Sequence, residues 1–145
     1  MDSILKKFDI MHSFLKCLAE GFRPTADVYL KKTEFQTLMQ IKMHEGKPMK
    51  YYCEKVDREN GSFTYLADKL EEKGCIRRVK HKADRRIKVL ELTEEGHRIT
   101  SQVEAQFKAY VEGRAEKLSE EDVKDLDDIC EKLEAMVAKL KDKEK

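Results

Sequence analysis

Seven Lys or Arg side chains fall between Ile76 and Lys88, against a single acid, Asp84. Arg77, Arg78, Lys80, Lys82, Arg85, Arg86 and Lys88 make a local density of positive charge of the kind that phosphate binding requires. Asp84 stands two residues before Arg86, close enough to pair with it and hold its guanidinium fork in one geometry. Just upstream, Ser62, Thr64, Tyr65, Asp68 and Lys69 share one face of an expected helix, and Phe63, Leu66, Ala67 and Leu70 share the other. Hydroxyl, phenol and ammonium groups on a helix can reach base edges and phosphates in a major groove about 12 Å wide. Asp68 is the awkward member, repelled by phosphate unless it orients a neighbouring base or Lys. Judged alone, the helix also reads as a solvated polar face; the cation-rich segment is the more telling half.

The chain as a whole conceals this patch, because its formal net charge is only +1. Glu116–Lys145 holds eleven acids against seven bases, so near-neutrality is a sum of opposites. Charged residues make up 41% and aromatics 8%, a mix suited to a helical protein with wide solvated faces. At 145 residues one ordinary domain is expected. The four cysteines, Cys17, Cys53, Cys75 and Cys130, form no C-x-x-C pair, and His12, His44, His81 and His97 show no metal-ligand spacing. No phosphate loop, nucleophile elbow or catalytic pairing stands out. The expectation is therefore neither an enzyme nor a protein needing a metal or cofactor. No signal peptide opens the sequence, and no run approaches the ~20 apolar residues of a membrane span. A cytoplasmic protein with reduced thiols, without a membrane role, is expected.

The elements that must position these residues follow from periodicity. Ile4, Phe8, Met11, Leu15 and Leu18 predict an amphipathic helix over 2–20, ended near Gly21. A connector with Pro24 leads to a second helix from Thr33, capped with Gln36 and stopped by Gly46 and Pro48. A short third helix covers Met49–Val56, and Asp57-Arg58-Glu59-Asn60-Gly61 reads as a turn. The fourth helix spans Ser62–Lys73 and closes at Gly74. Two β-rich runs, Ile76–Lys80 and Ile87–Leu92, flank a hairpin tip at 81–85 to which His81 belongs. Thr93 opens a long fifth helix with Ile99, Val103, Phe107, Tyr110 and Val111 on one face. Ser119 with Asp122 caps a last helix bearing Val123, Leu126, Ile129, Cys130, Leu133, Met136, Val137 and Leu140. Helix, turn, helix and hairpin in that order are the parts of a winged helix-turn-helix. The fold class expected is mostly α, with a two-stranded β wing and terminal dimerisation helices. The DNA-binding region is 33–92 and the helical dimerisation region 2–21 with 94–141, in one integrated domain. The terminal helices carry more apolar surface than the winged part can cover, which a two-fold twin would satisfy.

Three blocks carry a resemblance: Leu70-Glu71-Glu72-Lys73-Gly74-Cys75-Ile76-Arg77-Arg78, then Ala83-Asp84-Arg85-Arg86, then Leu92-Thr93-Glu94-Glu95-Gly96. Their sequence and spacing resemble the signature of the MarR (multiple antibiotic resistance regulator) family. The resemblance implies a homodimer with a triangular body that binds palindromic operators in double-stranded DNA. It implies repression of transcription relieved by a small lipophilic or phenolic effector. By position, Ser62, Thr64 and Tyr65 fall in the base-reading part of the recognition helix, Arg78 at the family's wing-strand Arg, and Asp84 with Arg86 at its wing tip. The chain departs from the family pattern at Tyr65, where many members carry a basic residue.

Two features read as packing. Some members sense peroxides with an N-terminal cysteine, but the segment accompanying it there is not evident around Cys17, which reads as an interface cysteine. Met39, Met43 and Met49 could line a ligand cavity but fit core filling better. A second class of function, a dimeric winged-helix adaptor without DNA binding, is left open by Asp68 and opposed by the basic hairpin.

Overall fold

A computed structural model describes residues 3–56 and 60–142. The elements come in the expected order: α1 Ser3–Ala19, α2 Lys32–Met43, α3 Met49–Lys55, α4 Asn60–Glu72, β1 Ile76–Lys80, β2 Lys88–Leu92, α5 Glu94–Ala115 and α6 Glu120–Asp142. The fold is mostly α with a two-stranded antiparallel sheet, as the sequence predicts. Residues 57–59 of the expected turn lie outside the described residues, and Asn60 and Gly61 already belong to α4. The chain divides into two compact units, Arg23–Lys108 and Met1–Phe22 with Ala109–Lys145.

In the first unit, each element turns one apolar face inward. Leu38 and Ile41 of α2, Tyr52 of α3, Phe63, Ala67 and Leu70 of α4, Ile76 and Leu90 of the hairpin, and Ile99 of α5 are buried together. Burying a side chain of this kind stabilises by roughly 1.5–3 kcal/mol. That sum sets the seat of α4 and leaves its polar face outward. Tyr52 shapes the α2–α3 turn: its hydroxyl donates to the His44 carbonyl and accepts the Lys47 N–H at 3.1 Å. The turn then lies beside β2. Gly46 N–H bonds Leu90 O at 3.2 Å, Leu90 N–H bonds Lys47 O at 3.1 Å, and Pro48 bridges Val89. The hairpin is thereby tied to the helix-turn by a third short segment. The connector before α2 is strapped to α5, where the Gln106 amide both donates to and accepts from the Thr25 main chain.

Helix ends show which local signals held. The expected Thr33–Gln36 cap of α2 does not form. Lys31 is the extended N-cap, without a side-chain cap, because buried Leu30 anchors the chain immediately before it. Thr33 lies inside the helix, its carbonyl accepting the Thr37 hydroxyl at 2.8 Å. α4 ends as expected at Gly74 (φ 75°), with Cys75 N–H bonded to Leu70 O and Gly74 N–H to Glu71 O, each at 3.0 Å. Thr93 caps α5 by accepting the Gly96 N–H at 3.0 Å, and its hydroxyl donates to Gly74 O at 2.5 Å. The two ends of the hairpin are thus stitched together. A Cβ on Gly96 would lie 2.0 Å from Cys75 O, so this close approach requires glycine.

In the second unit, the Tyr110 hydroxyl donates to Glu20 O and the Arg114 Nε to Cys17 O at 2.8 Å. Ser119 and Asp122 form the expected reciprocal cap of α6, with N–H bonds of 2.9 and 3.0 Å. Neither α1 nor α6 has a buried residue. Ile4, Phe8 and Leu15 on α1, and Ile129, Met136 and Leu140 on α6, are all more than half exposed. Cys17 and Cys130 are exposed thiols, whereas Cys53 and Cys75 are buried.

Candidate nucleic-acid interface

The buried face of α4 leaves Ser62, Thr64 and Tyr65 outward. The Lys69 ammonium lies 5.4 Å from the centre of the Tyr65 ring and 3.3 Å from the Glu72 carboxylate. One turn of helix thus presents a phenol with a cation against its face.

Asp68 is not a loose negative charge. Arg78 reaches back from β1, and its Nη2 donates to Asp68 Oδ1 at 2.6 Å, with Glu71 at 3.7 Å from Nη1. The Arg78 side chain is only 19% exposed. Its position joins the hairpin to α4 and neutralises the one acid on the exposed helix face that the sequence left without an explanation. Arg78, expected at a DNA contact, has its guanidinium turned onto the helix.

The rest of the hairpin carries its charge outward. Arg77 pairs across the strands with Glu91 at 3.3 Å. Lys80 stands directly opposite Lys88, a like-charge pairing that weakens an isolated sheet. Lys80, Lys82, Arg85 and Lys88 are exposed, and none of them has an ion pair among the described residues. Lys88 belongs to the basic run read from the sequence, but its position opposite Lys80 follows only from strand register.

Two acceptors hold the tip. His81 Nδ1 accepts the N–H groups of Ala83 and Asp84 at 3.1 and 3.3 Å. Asp84 Oδ1 accepts the Arg86 N–H at 3.1 Å, and its carboxylate takes two further bonds from the Arg86 guanidinium at 3.2 Å. Those bonds hold the Asp84 carboxyl below its ordinary pKa, the guanidinium first and the backbone N–H second. Arg86 is pre-aimed by Asp84 while its side chain remains 91% exposed. The structure therefore brings the helix set and the wing set of predicted residues onto linked elements.

Among the described residues no group of three or more His, Cys, Asp or Glu could hold a metal ion, and no helix is long and apolar enough to cross a membrane.

Residues 30–88 match the model of the MarR family. The HTH-type transcriptional regulator MhqR of Bacillus subtilis (strain 168) is 33% identical over 95 residues, covering 65% of each chain. The chain therefore spans 65% of that relative's length, less than two-thirds. A MarR-like transcriptional regulator of Thermotoga maritima shares the fold with a TM-score of 0.63, 27% identity and 97% coverage of both chains. FabT of Streptococcus pneumoniae, solved in complex with DNA, has a TM-score of 0.62 at 24% identity over 94% of both chains. The fold is the winged helix of these regulators, with α4 as recognition helix and the β1–β2 hairpin as wing. The chain thus resembles the MarR family in sequence over residues 30–88 and in fold over nearly its whole length.

Proposed function

We propose that the protein is a homodimeric, sequence-specific DNA-binding regulator of transcription that acts in the cytoplasm as a repressor and has no enzymatic role. The observation that carries this reading is the wing, where Lys80 opposes Lys88 and these two, with Lys82 and Arg85, lack acidic partners among the described residues. Such an arrangement costs stability unless a polyanion completes it. Tyr65 and its neighbours on α4 would read base edges, while Lys80, Lys82, Arg85 and Arg86 take phosphates and the adjacent minor groove. The relatives named as transcriptional regulators, and FabT solved on DNA, support the same reading. Asp68, which favoured an adaptor, is neutralised by Arg78 and no longer does so.

The uncovered apolar faces of α1 and α6 support a dimer in which a second copy covers them. A cavity of about 420 Å3 in the α1–α5 unit supports an effector. Phe14, Leu18 and Leu118 give it apolar walls, and Arg114 and Lys117 give it charge for a lipophilic or phenolic anion. The test of the function is a gel-shift titration against the protein's own upstream DNA at two salt concentrations. A shift at low salt that weakens steeply as salt rises supports it. No shift at low salt rejects it.

A further inference from the structure

Along the face of α4 that carries Ser62, Tyr65 and Lys69 runs an open groove of about 870 Å3, whose opposite bank is the start of α2 with Lys31 and Thr33. The carboxylate in its wall, Glu34, is 3% exposed and accepts Lys73 Nζ at 2.6 Å, so it offers no free negative charge. The same Lys73 ammonium donates to Tyr29 O at 3.0 Å. Lys73 thus grips the chain on both sides of Lys31, and buried Leu30 anchors it between the two grips. The width of the groove is set by the core. Lys31 on this bank and its chain neighbour Lys32 are exposed, and neither forms an ion pair among the described residues.

We infer that this groove seats the sugar–phosphate backbone bordering the base pairs read by α4, with Lys31 and Lys32 as contacts from a third element outside the recognition helix and the wing. The inference rests on the DNA-binding reading above. A small-molecule site is enclosed and mostly apolar. This groove is open, bordered by cations and continuous with the face that carries Tyr65, which fits a polyanionic ridge. Contacts of this kind add affinity without sequence preference, and each phosphate neutralised steepens the salt dependence by about 0.9 in the logarithmic slope.

The test compares the full-length chain with its Lys31→Gln/Lys32→Gln variant by fluorescence anisotropy, on the upstream duplex and on a scrambled duplex across a salt series. Circular dichroism and thermal melting establish that the variant is folded. The expected result is a loss of up to about tenfold at low salt, equal on both duplexes, with a slope reduced by about one or two. The Lys31→Arg/Lys32→Arg variant should restore both. Unchanged affinity and slope, while the parent binds, would overturn the groove and leave the DNA reading intact. A loss confined to the upstream duplex would also overturn it, by making these lysines sequence readers. Failure of the parent to bind either duplex would sink the DNA reading itself and the groove with it.

Discussion

The guanidinium of Arg78 on the first wing strand donates to the Asp68 carboxylate on the recognition helix at 2.6 Å. Helix and wing are thereby coupled through a pair whose acid lies on the solvent-facing side of α4. Simple charge counting says that removing Asp68 should improve binding. The coupled geometry says the opposite for the operator. Asp68→Asn is expected to weaken operator binding by about 1–2 kcal/mol, at the low end for a charge pair because Asp68 is half exposed. Affinity for scrambled DNA should hold or rise. Titrations of both duplexes check this, and a uniform gain on both would remove Asp68 from any positioning role.

Arg86, pre-aimed by Asp84, is expected to carry phosphate or minor-groove contact at the wing tip. Arg86→Ala should weaken DNA binding by on the order of 1–3 kcal/mol and reduce the salt slope by about 1. Affinity measured at several salt concentrations decides it; no change in either quantity takes the tip out of the interface.

Tyr65 projects from the exposed face of α4, with its ring against Lys69. Tyr65→Ala should alter operator preference more than nonspecific affinity. Selection of bound sequences from a random pool, run with both proteins, would reveal a changed consensus. An equal fall on all DNA would make Tyr65 a backbone contact.

Much of this was legible in the residues themselves, and the exceptions have physical reasons. The cations of the wing, the Gly74 stop, the Thr93 cap and the Ser119–Asp122 box are local signals, and each appears where its residues stand. The partner of Asp68 was not legible, because Arg78 is ten residues away and meets it only when the hairpin folds back on α4. The start of α2 was misread for the same kind of reason. Thr33 has capping chemistry, but the buried Leu30 sets the boundary one residue earlier. The segment Gly46–Pro48 pairs with β2 although glycine and proline advertise only a helix stop. Lys88 was legible as a member of the basic run, but not its place opposite Lys80, which depends on register.

Gly96 gives a test of the scaffold apart from DNA. Its missing side chain lets the start of α5 approach Cys75 O, where a Cβ would sit at 2.0 Å from backbone. Gly96→Ala is expected to destabilise the protein by about 1–3 kcal/mol or more, because backbone on both sides must shift. Denaturant unfolding measures it, and a loss under about 0.5 kcal/mol, the range of neutral surface changes, would show that the contact relaxes freely.

A hydroxyl-radical footprint of the protein on its own upstream DNA tests the central claim most directly, since it reports docking and copy number together. Two α4 helices and two wings acting as a symmetric pair predict two protected half-sites, related by inverted sequence and centred about 10–10.5 bp apart or at a multiple of that spacing. A single unpaired protected segment, or none at a salt concentration where the protein is folded, would contradict a dimer reading duplex DNA with α4 and the wing.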